Sequence, residues 1–438
     1  MHKLCALFYS DALLWEELPV LKSIEKKLDS RRTQLVLGVL CMMSISSPQY
    51  VWALFTKPLG AQLGVGLAEL QVTFSILIVL QTFFSPFQGF LVDKFGPKNL
   101  LSLGAVLTGL SWVLASQADS ITILYLSYGL LGGLGTGIVY IGVVGQVVKW
   151  FPDRRGFAVG MVAAGYGVGA ILTTFPISRS LADHGHQDTL WWFGCALGTL
   201  GLLFAQGLRS PAKKLAEESI ELSGVGPSVM LRTPVFWLLF VMMSMMSTSG
   251  LMVISQMGAI AKDYQVADAM VWGMAALPLA LTIDRLTNGL TRPFFGWVSD
   301  RWGRENTMFI AFSLEAAAMF AWISTIDSPV LFVILSGVVF FGWGEIFSLF
   351  PSTLTDTFGP KHATTNYGFL YMAQGVGSII GGPVAAMVHT STGSWIPVFA
   401  LMIILDVLAA GLALWVLKLL RKNLAAYSHL PMKLPNQR

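Results

Sequence analysis

Two short stretches decide the fold: Gly89-Phe-Leu-Val-Asp93-Lys94-Phe-Gly96-Pro-Lys98 and Gly296-Trp-Val-Ser-Asp300-Arg301-Trp-Gly303-Arg304. Both read glycine, three residues, aspartate, a basic residue, an aromatic, glycine, and a further basic residue close behind. They stand 207 residues apart in a chain of 438, so each half carries one copy. A single copy reads as a tight basic hairpin. Two copies at matching places read as a duplicated helix bundle, the plan of many transporters. The glycine lets helices approach closely, the aspartate accepts hydrogen bonds near a helix end, and the basic residues hold the loop on one side of a membrane. Gly89, Asp93, Lys94 and Gly96, with Gly296, Asp300, Arg301 and Gly303, are therefore expected to form gating loops that stabilise one facing state.

The rest of the chain agrees. Hydrophobic residues make up 54% and charged residues 12%. A soluble domain carries about 25% charged residues, so a water-facing surface of this size cannot be covered. Twelve apolar runs fall near 33–56, 70–92, 98–117, 121–148, 156–182, 189–209, 234–260, 270–298, 305–325, 328–355, 362–388 and 394–420. Each has roughly the 20 residues that a membrane span needs. The expected fold is an all-α membrane protein with twelve transmembrane helices in two six-helix bundles, residues 33–209 and 234–420. A polar linker (210–233) joins them. Residues 1–32 are expected to be a loose extension and 421–438 a tail. With both termini placed in the cytoplasm, 23 of the 28 lysines and arginines fall on the inner side, 3 on the outer side and 2 inside the membrane. That bias predicts a multi-pass inner (plasma) membrane protein with cytoplasmic termini.

Several classes drop out. The net charge of +4 belongs to loops between apolar runs, so no nucleic-acid partner is expected. Cys5, Cys41 and Cys195 have neither disulfide-framework nor metal-ligand spacing. Gly132-Gly133-Leu-Gly135 lies within an apolar run with no strand before it, which excludes a nucleotide loop. No cofactor, metal or catalytic residue is expected. The lipid bilayer is an expected partner, and the chain is read as monomeric and not an enzyme.

The two intramembrane arginines need a reason, because a charge at the bilayer centre costs roughly 2.5–3.5 kcal/mol on insertion scales. Arg285 and Arg292 are seven residues apart in span 8, about two helical turns and roughly 10.5 Å along one face. Asn288 lies between them. This row of donors suits a small carboxylate, since guanidinium offers a planar fork to two oxygens. The alternative is an internal ion pair with Asp284 or with Glu345 of span 10. Glu315 and Asp406, in spans 9 and 12, are expected to pair with a hydroxyl or sit at a helix interface.

Further strings narrow the resemblance: Ser47-Pro-Gln49-Tyr50-Val-Trp52, Trp150-Phe-Pro-Asp-Arg-Arg155-Gly156, Ala163-Ala-Gly165-Tyr166-Gly-Val-Gly169, Asn288-Gly-Leu-Thr-Arg292-Pro-Phe-Phe-Gly-Trp297, Phe350-Pro-Ser352 and Asn366-Tyr-Gly-Phe369. Over nearly its whole length the chain resembles the major facilitator superfamily, and in these strings its oxalate:formate antiporter group. The resemblance implies that Arg292, in the Arg-Pro motif, binds the substrate carboxylate. It implies a pocket lined by Gln49, Tyr50, Trp52, Tyr140 and Trp343. Two departures stand out. Gln374 occupies the place of a lysine in span 11, and Phe347 that of a tyrosine. Arg285 then restores the missing positive charge, with Glu345 and Asp284 as charge-balancing groups. The implied function is exchange of oxalate for formate by alternating access. A proton-coupled monocarboxylate symporter, of the lactate or pyruvate kind, is the alternative. Relatives of that kind carry an aspartate four residues before the arginine, where this chain has Asn288. A transport-incompetent sensor or scaffold is a third reading.

Overall fold

The structure is a computed structural model and describes residues 29–211 and 224–428. The expectation for most of the N-terminal extension, the middle of the linker and the last ten residues lies outside the described residues.

In a medium without water every backbone amide and carbonyl must be satisfied within the chain, and helices do this locally. Eight helical rods are long and apolar enough to span a membrane, and two more pass as bent pairs. One of the eight, Arg155–Gln206, turns back at Gly185 (φ 78°, ψ 177°) and so supplies two passes. Ala276–Trp302 carries too many charges to pass on composition yet runs for 27 residues. Among the described residues this makes twelve. We number them α1 (Arg31–Tyr50 with Trp52–Leu63), α2 (Glu69–Thr82 with Ser85–Phe95), α3 (Pro97–Ala115), α4 (Ile121–Trp150), α5 and α6 (Arg155–Gln206, before and after Gly185), α7 (Pro234–Asp263), α8 (Ala276–Trp302), α9 (Arg304–Ser324), α10 (Pro329–Phe358), α11 (Ala363–Thr392) and α12 (Ile396–Leu424).

The ends follow local chemistry. Ser30 and Thr233 cap α1 and α7, each hydroxyl accepting a backbone N–H three residues on. Pro97, Pro234 and Pro329 stand in first turns, where their missing N–H costs nothing. α1 bends by 44° and α2 by 47°, the latter just before Pro86. The apolar run expected to begin span 8 at residue 270 is corrected: Met270–Val271 and Met274–Ala275 form a two-stranded antiparallel pair first. Trp272 and Gly273 take positive φ at its turn. Helix continues to Ser428, into the residues expected to form the tail.

The two halves meet most closely at the end that carries the repeated motifs. There α2 crosses α11, and α5 crosses α8. A Cβ on Gly89 would lie 2.5 Å from the Thr364 carbonyl oxygen, and one on Gly296 would lie 2.2 Å from that of Gly156. Only glycine permits these approaches. Each motif aspartate then caps a helix of the opposite half. Asp93 accepts from Thr365 N (2.9 Å) and Thr365 Oγ1 (2.7 Å) at the start of α11. Asp300 accepts from Gly156 N (2.9 Å) and Phe157 N (2.8 Å) at the start of α5. Carboxylate at a helix N-terminus is favoured by both the open amides and the dipole.

Of the motifs' own basic residues, only Arg304, behind the second copy, belongs to the ion pairs of this latch among the described residues. Lys149 pairs with Asp93 at 2.9 Å, Arg304 bridges Asp300 (2.7 Å) and Asp356 (2.8 Å), and Arg155 reaches Asp356 across the halves at 2.7 Å. Lys94 instead lies over the rings of Phe90 and Phe95, and Arg301 over Trp297. Gly96 and Gly303 end their helices with φ of 84° and 89°, which lets the chain turn sharply out of each motif.

Candidate functional site

The repeated crossing of α5 on α8 fixes Arg292. Its side chain is 3% exposed and reaches between the halves. Nη1 donates to the Ala163 carbonyl of α5 at 2.7 Å, and Nη2 to Asn288 Oδ1 one turn back at 2.5 Å. The guanidinium lies 4.4 Å from the centre of the Phe347 ring. Its Nε is buried without a partner. Neither Asp284 nor Glu345 forms an ion pair with it, so the internal-pair alternative is not what the geometry shows. Among the described residues every hydrogen-bond partner of this cation is neutral, and no carboxylate forms an ion pair with it.

The same face of α8 changes character along its length. Toward the motif end it is sealed: a Cβ on Gly160 of α5 would lie 2.3 Å from the Arg292 carbonyl oxygen. Away from that end it opens. Gly289 has nothing within 4 Å of its Cβ position, and Arg285 is exposed, with no hydrogen bond or ion pair among the described residues. Arg285 and Arg292 thus share a face but not an environment. Asp284 is 3% exposed and lies near Ser336 of α10, with no hydrogen bond of good geometry among the described residues. Asn288, 9% exposed, leaves its Nδ2 unpartnered beside Gly344, whose Cβ position is 3.1 Å away.

Around the guanidinium stands a group of tyrosines. Tyr140 (α4) packs edge-on to Tyr166 (α5) at 5.4 Å and stacks on Tyr371 (α11) at 5.0 Å. Tyr50 (α1) tilts against Tyr166 at 5.5 Å, and Tyr367 against Tyr371 at 5.6 Å. Arg292 is within electrostatic range of the hydroxyls of Tyr140, Tyr166 and Tyr367. Tyr166 donates to Gln49 Oε1 at 2.7 Å and accepts from Gln81 Nε2 at 3.3 Å. The hydroxyls of Tyr140 and Tyr367 lie close to one another, and among the described residues neither they nor Gln374 Oε1 make a hydrogen bond of good geometry. Buried polar atoms of this kind cost free energy until something fills them.

Of the residues expected in a pocket, Gln49, Tyr50 and Tyr140 join this group. Trp343 is committed to structure: Nε1 donates to the Met246 carbonyl at 2.7 Å, and the ring fills the space that a side chain at Gly250 would need. Its edge meets Phe347 at 5.5 Å, so it backs the ring that carries Arg292. Trp52 lies in a separate cluster of the N-terminal half with Trp112 and Tyr128, its ring 4.7 Å from Tyr128. Tyr166, Tyr367, Tyr371 and Gln81 were not singled out by the sequence reading. A signal existed for two of them: Tyr367, Tyr371 and Gln374 fall at i, i+4 and i+7, one face of α11.

A buried cation at the seam of two like bundles, below an open face and above a charged latch, defines a carrier. The sequence pattern of the Major Facilitator Superfamily matches residues 35–283 and 240–432. The chain belongs to this superfamily and is a multi-pass membrane transporter.

Within the superfamily it is 36% identical to the oxalate:formate antiporter of Oxalobacter formigenes over 396 residues, 89% of this chain and 92% of that one. It is 25% identical to monocarboxylate transporter 13 of Bos taurus over 370 residues, 83% of this chain and 82% of that one. Among solved structures, a double tryptophan mutant of XylE superimposes with a TM-score of 0.71 at 14% identity, covering 90% of this chain and 98% of that one. The proton:xylose symporter XylE bound to 6-bromo-6-deoxy-D-glucose gives 0.66 at 14% identity, covering 87% and 94%.

Proposed function

We propose that the protein exchanges small carboxylates, oxalate for formate, by alternating access, with the anion bound on Arg292. The observation that carries this is the state of that side chain: buried at the seam between halves, with neutral partners only and an unused Nε. A carboxylate is the ligand whose charge and two oxygens answer a guanidinium. Asn288 Nδ2 and the hydroxyls of Tyr140 and Tyr367 are the buried donors that a small dianion would satisfy. Arg285, on the open stretch of the same face, supplies a second positive charge on the route in. The similarity to the oxalate:formate antiporter supports the choice of substrate.

Exchange follows from electrostatics. An empty site leaves the cation unpaired in a low-dielectric path, so the closed intermediate is costly. A bound anion cancels the charge and permits the halves to rock around it. With the latch at the cytoplasmic side of a plasma membrane, as the charge bias favours, the described state opens outward.

The test is uptake of labelled oxalate into liposomes holding the purified protein, loaded with formate or empty, with no pH gradient. Stimulation by internal formate is expected. Absence of stimulation, together with uptake driven by an inward proton gradient into empty liposomes, would replace exchange by proton-coupled symport.

A further inference from the structure

Three carboxyl groups are sealed in the C-terminal half: Glu315 on α9, Glu345 at the break in α10 between Trp343 and Ile346, and Asp406 on α12. All three have zero exposure. Ser249 Oγ of α7 donates to Asp406 Oδ2 at 3.0 Å, as a hydroxyl partner for Asp406 was expected. Among the described residues the other five oxygens, both of Glu315, both of Glu345 and Oδ1 of Asp406, are buried without a hydrogen bond of good geometry, although Ser249 also lies near Glu315. The approach of α9 to α10 is set by Gly342, whose Cβ position lies 2.9 Å from the Glu315 Cβ. Glu315 interacts electrostatically with Asp406 and Glu345, and Glu345 with Asp406 and Arg292. No lysine or arginine forms an ion pair with any of the three, and among the described residues no such group has the arrangement of a metal site.

Three ionised carboxylates cannot share a dry pocket: each loses its hydration, and the like charges repel at low dielectric. Orphaned acceptor oxygens without a donor add to the cost. A proton on a carboxyl oxygen removes a charge and supplies the missing donor, an O–H that a neighbouring carboxyl accepts. We propose that Glu315, Glu345 and Asp406, steadied by Ser249, form a proton-binding site, and that Glu345 links its occupancy to the anion on Arg292. The step is plain: a carboxylate oxygen gains a proton from water, and returns it to water, with no other bond changed.

The link rests on the carboxylate reading above; the proton site itself does not. The charged and titratable groups facing Glu345 are Arg292 from α8, Glu315 from α9 and Asp406 from α12, while α7 contributes Ser249. With Glu345 neutral, the guanidinium keeps its charge for the substrate. With Glu345 ionised, the two attract, and an incoming anion must compete with an internal carboxylate. Anion binding therefore draws a proton onto the site, and anion affinity falls as pH rises.

Infrared spectra of the ligand-free protein, recorded through a pH titration, test the site. Protonated carboxyl C=O bands are expected near neutral pH, and Glu345→Gln, Glu315→Gln and Asp406→Asn should each remove part of that intensity. Bands that are absent from the wild type, or unchanged in all three variants, would overturn the proposal. Proton uptake on adding oxalate to weakly buffered protein tests the link: uptake in the wild type, and none in Glu345→Gln. Equal uptake in both would remove Glu345 from the link while the spectra still decide the site. Oxalate that fails to bind the wild type at all would refute the carboxylate reading and the link with it, and leave the spectra to judge the site alone. The three isosteric variants, each checked by thermal unfolding, keep the outcome readable if one misfolds.

Discussion

The two six-helix halves share a fold and a motif but divide the chemistry unequally. Among the described residues, the buried polar groups of the N-terminal half are amides and hydroxyls, such as Gln81, Gln88, Ser85 and Thr136. The C-terminal half buries Asp284, Arg292, Glu315, Glu345 and Asp406. One wall of the seam is therefore neutral, aromatic and hydrogen-bonding, while the other carries the charge. Among the contacts across it, the Ala163 carbonyl accepts from Arg292, a neutral group from one half holding a cation of the other. On the proposed reading, the charged half binds the anion and the neutral half lines it.

This division can be broken at graded cost. Arg292→Gln removes the charge from the seam; loss of a buried, charge-assisted contact costs about 2–5 kcal/mol. Oxalate exchange in liposomes should fall by roughly thirty-fold or more. Asp300→Asn weakens the cap on α5 and its pair with Arg304, charged hydrogen bonds worth about 1.5–3 kcal/mol. The protein should shift toward the state open at the motif end, read as faster labelling of a cysteine placed at Ser299, with Asp93→Asn acting the same way through α11. On the neutral wall, Tyr166→Phe removes the bridge between Gln49 and Gln81, a loss of about 0.5–1.5 kcal/mol, and oxalate affinity should drop only a few-fold. Lys94→Ala and Arg301→Ala remove exposed cations that lie over rings, worth about 0.5–1 kcal/mol. Labelling rates should barely move. An effect of these two as large as that of Asp300→Asn would show that Lys94 and Arg301, not Lys149, Arg155 and Arg304, hold the latch.

The difference between the halves was half visible in the sequence. Apolar runs and a doubled motif announce twelve helices and a duplicated bundle, because span length and glycine–aspartate spacing are local properties. Arg292 and Asn288 were legible for the same reason, as polar residues one turn apart in an apolar run. The partners were not. Ala163 offers only a backbone carbonyl, and its meeting with Arg292 depends on how α5 crosses α8 at Gly160. Lys149 and Arg304 meet Asp93 and Asp356 only once distant helices of one half pack together, and Arg155 meets Asp356 only across the halves. Trp52 was drawn to the pocket by its neighbours Gln49 and Tyr50, but the bend in α1 turns it into the cluster of Trp112 and Tyr128. Aromatics in a membrane span usually pack, so Tyr166, Tyr367 and Tyr371 carried little signal one by one.

The central claim is that a carboxylate sits on Arg292. A structure of the protein with oxalate bound tests it most directly. The account predicts an oxalate oxygen within about 2.7–2.9 Å of an Arg292 guanidinium nitrogen, between the tyrosines of α4 and α11. Oxalate lodged elsewhere, with Arg292 still turned wholly to Ala163 and Asn288, would contradict it.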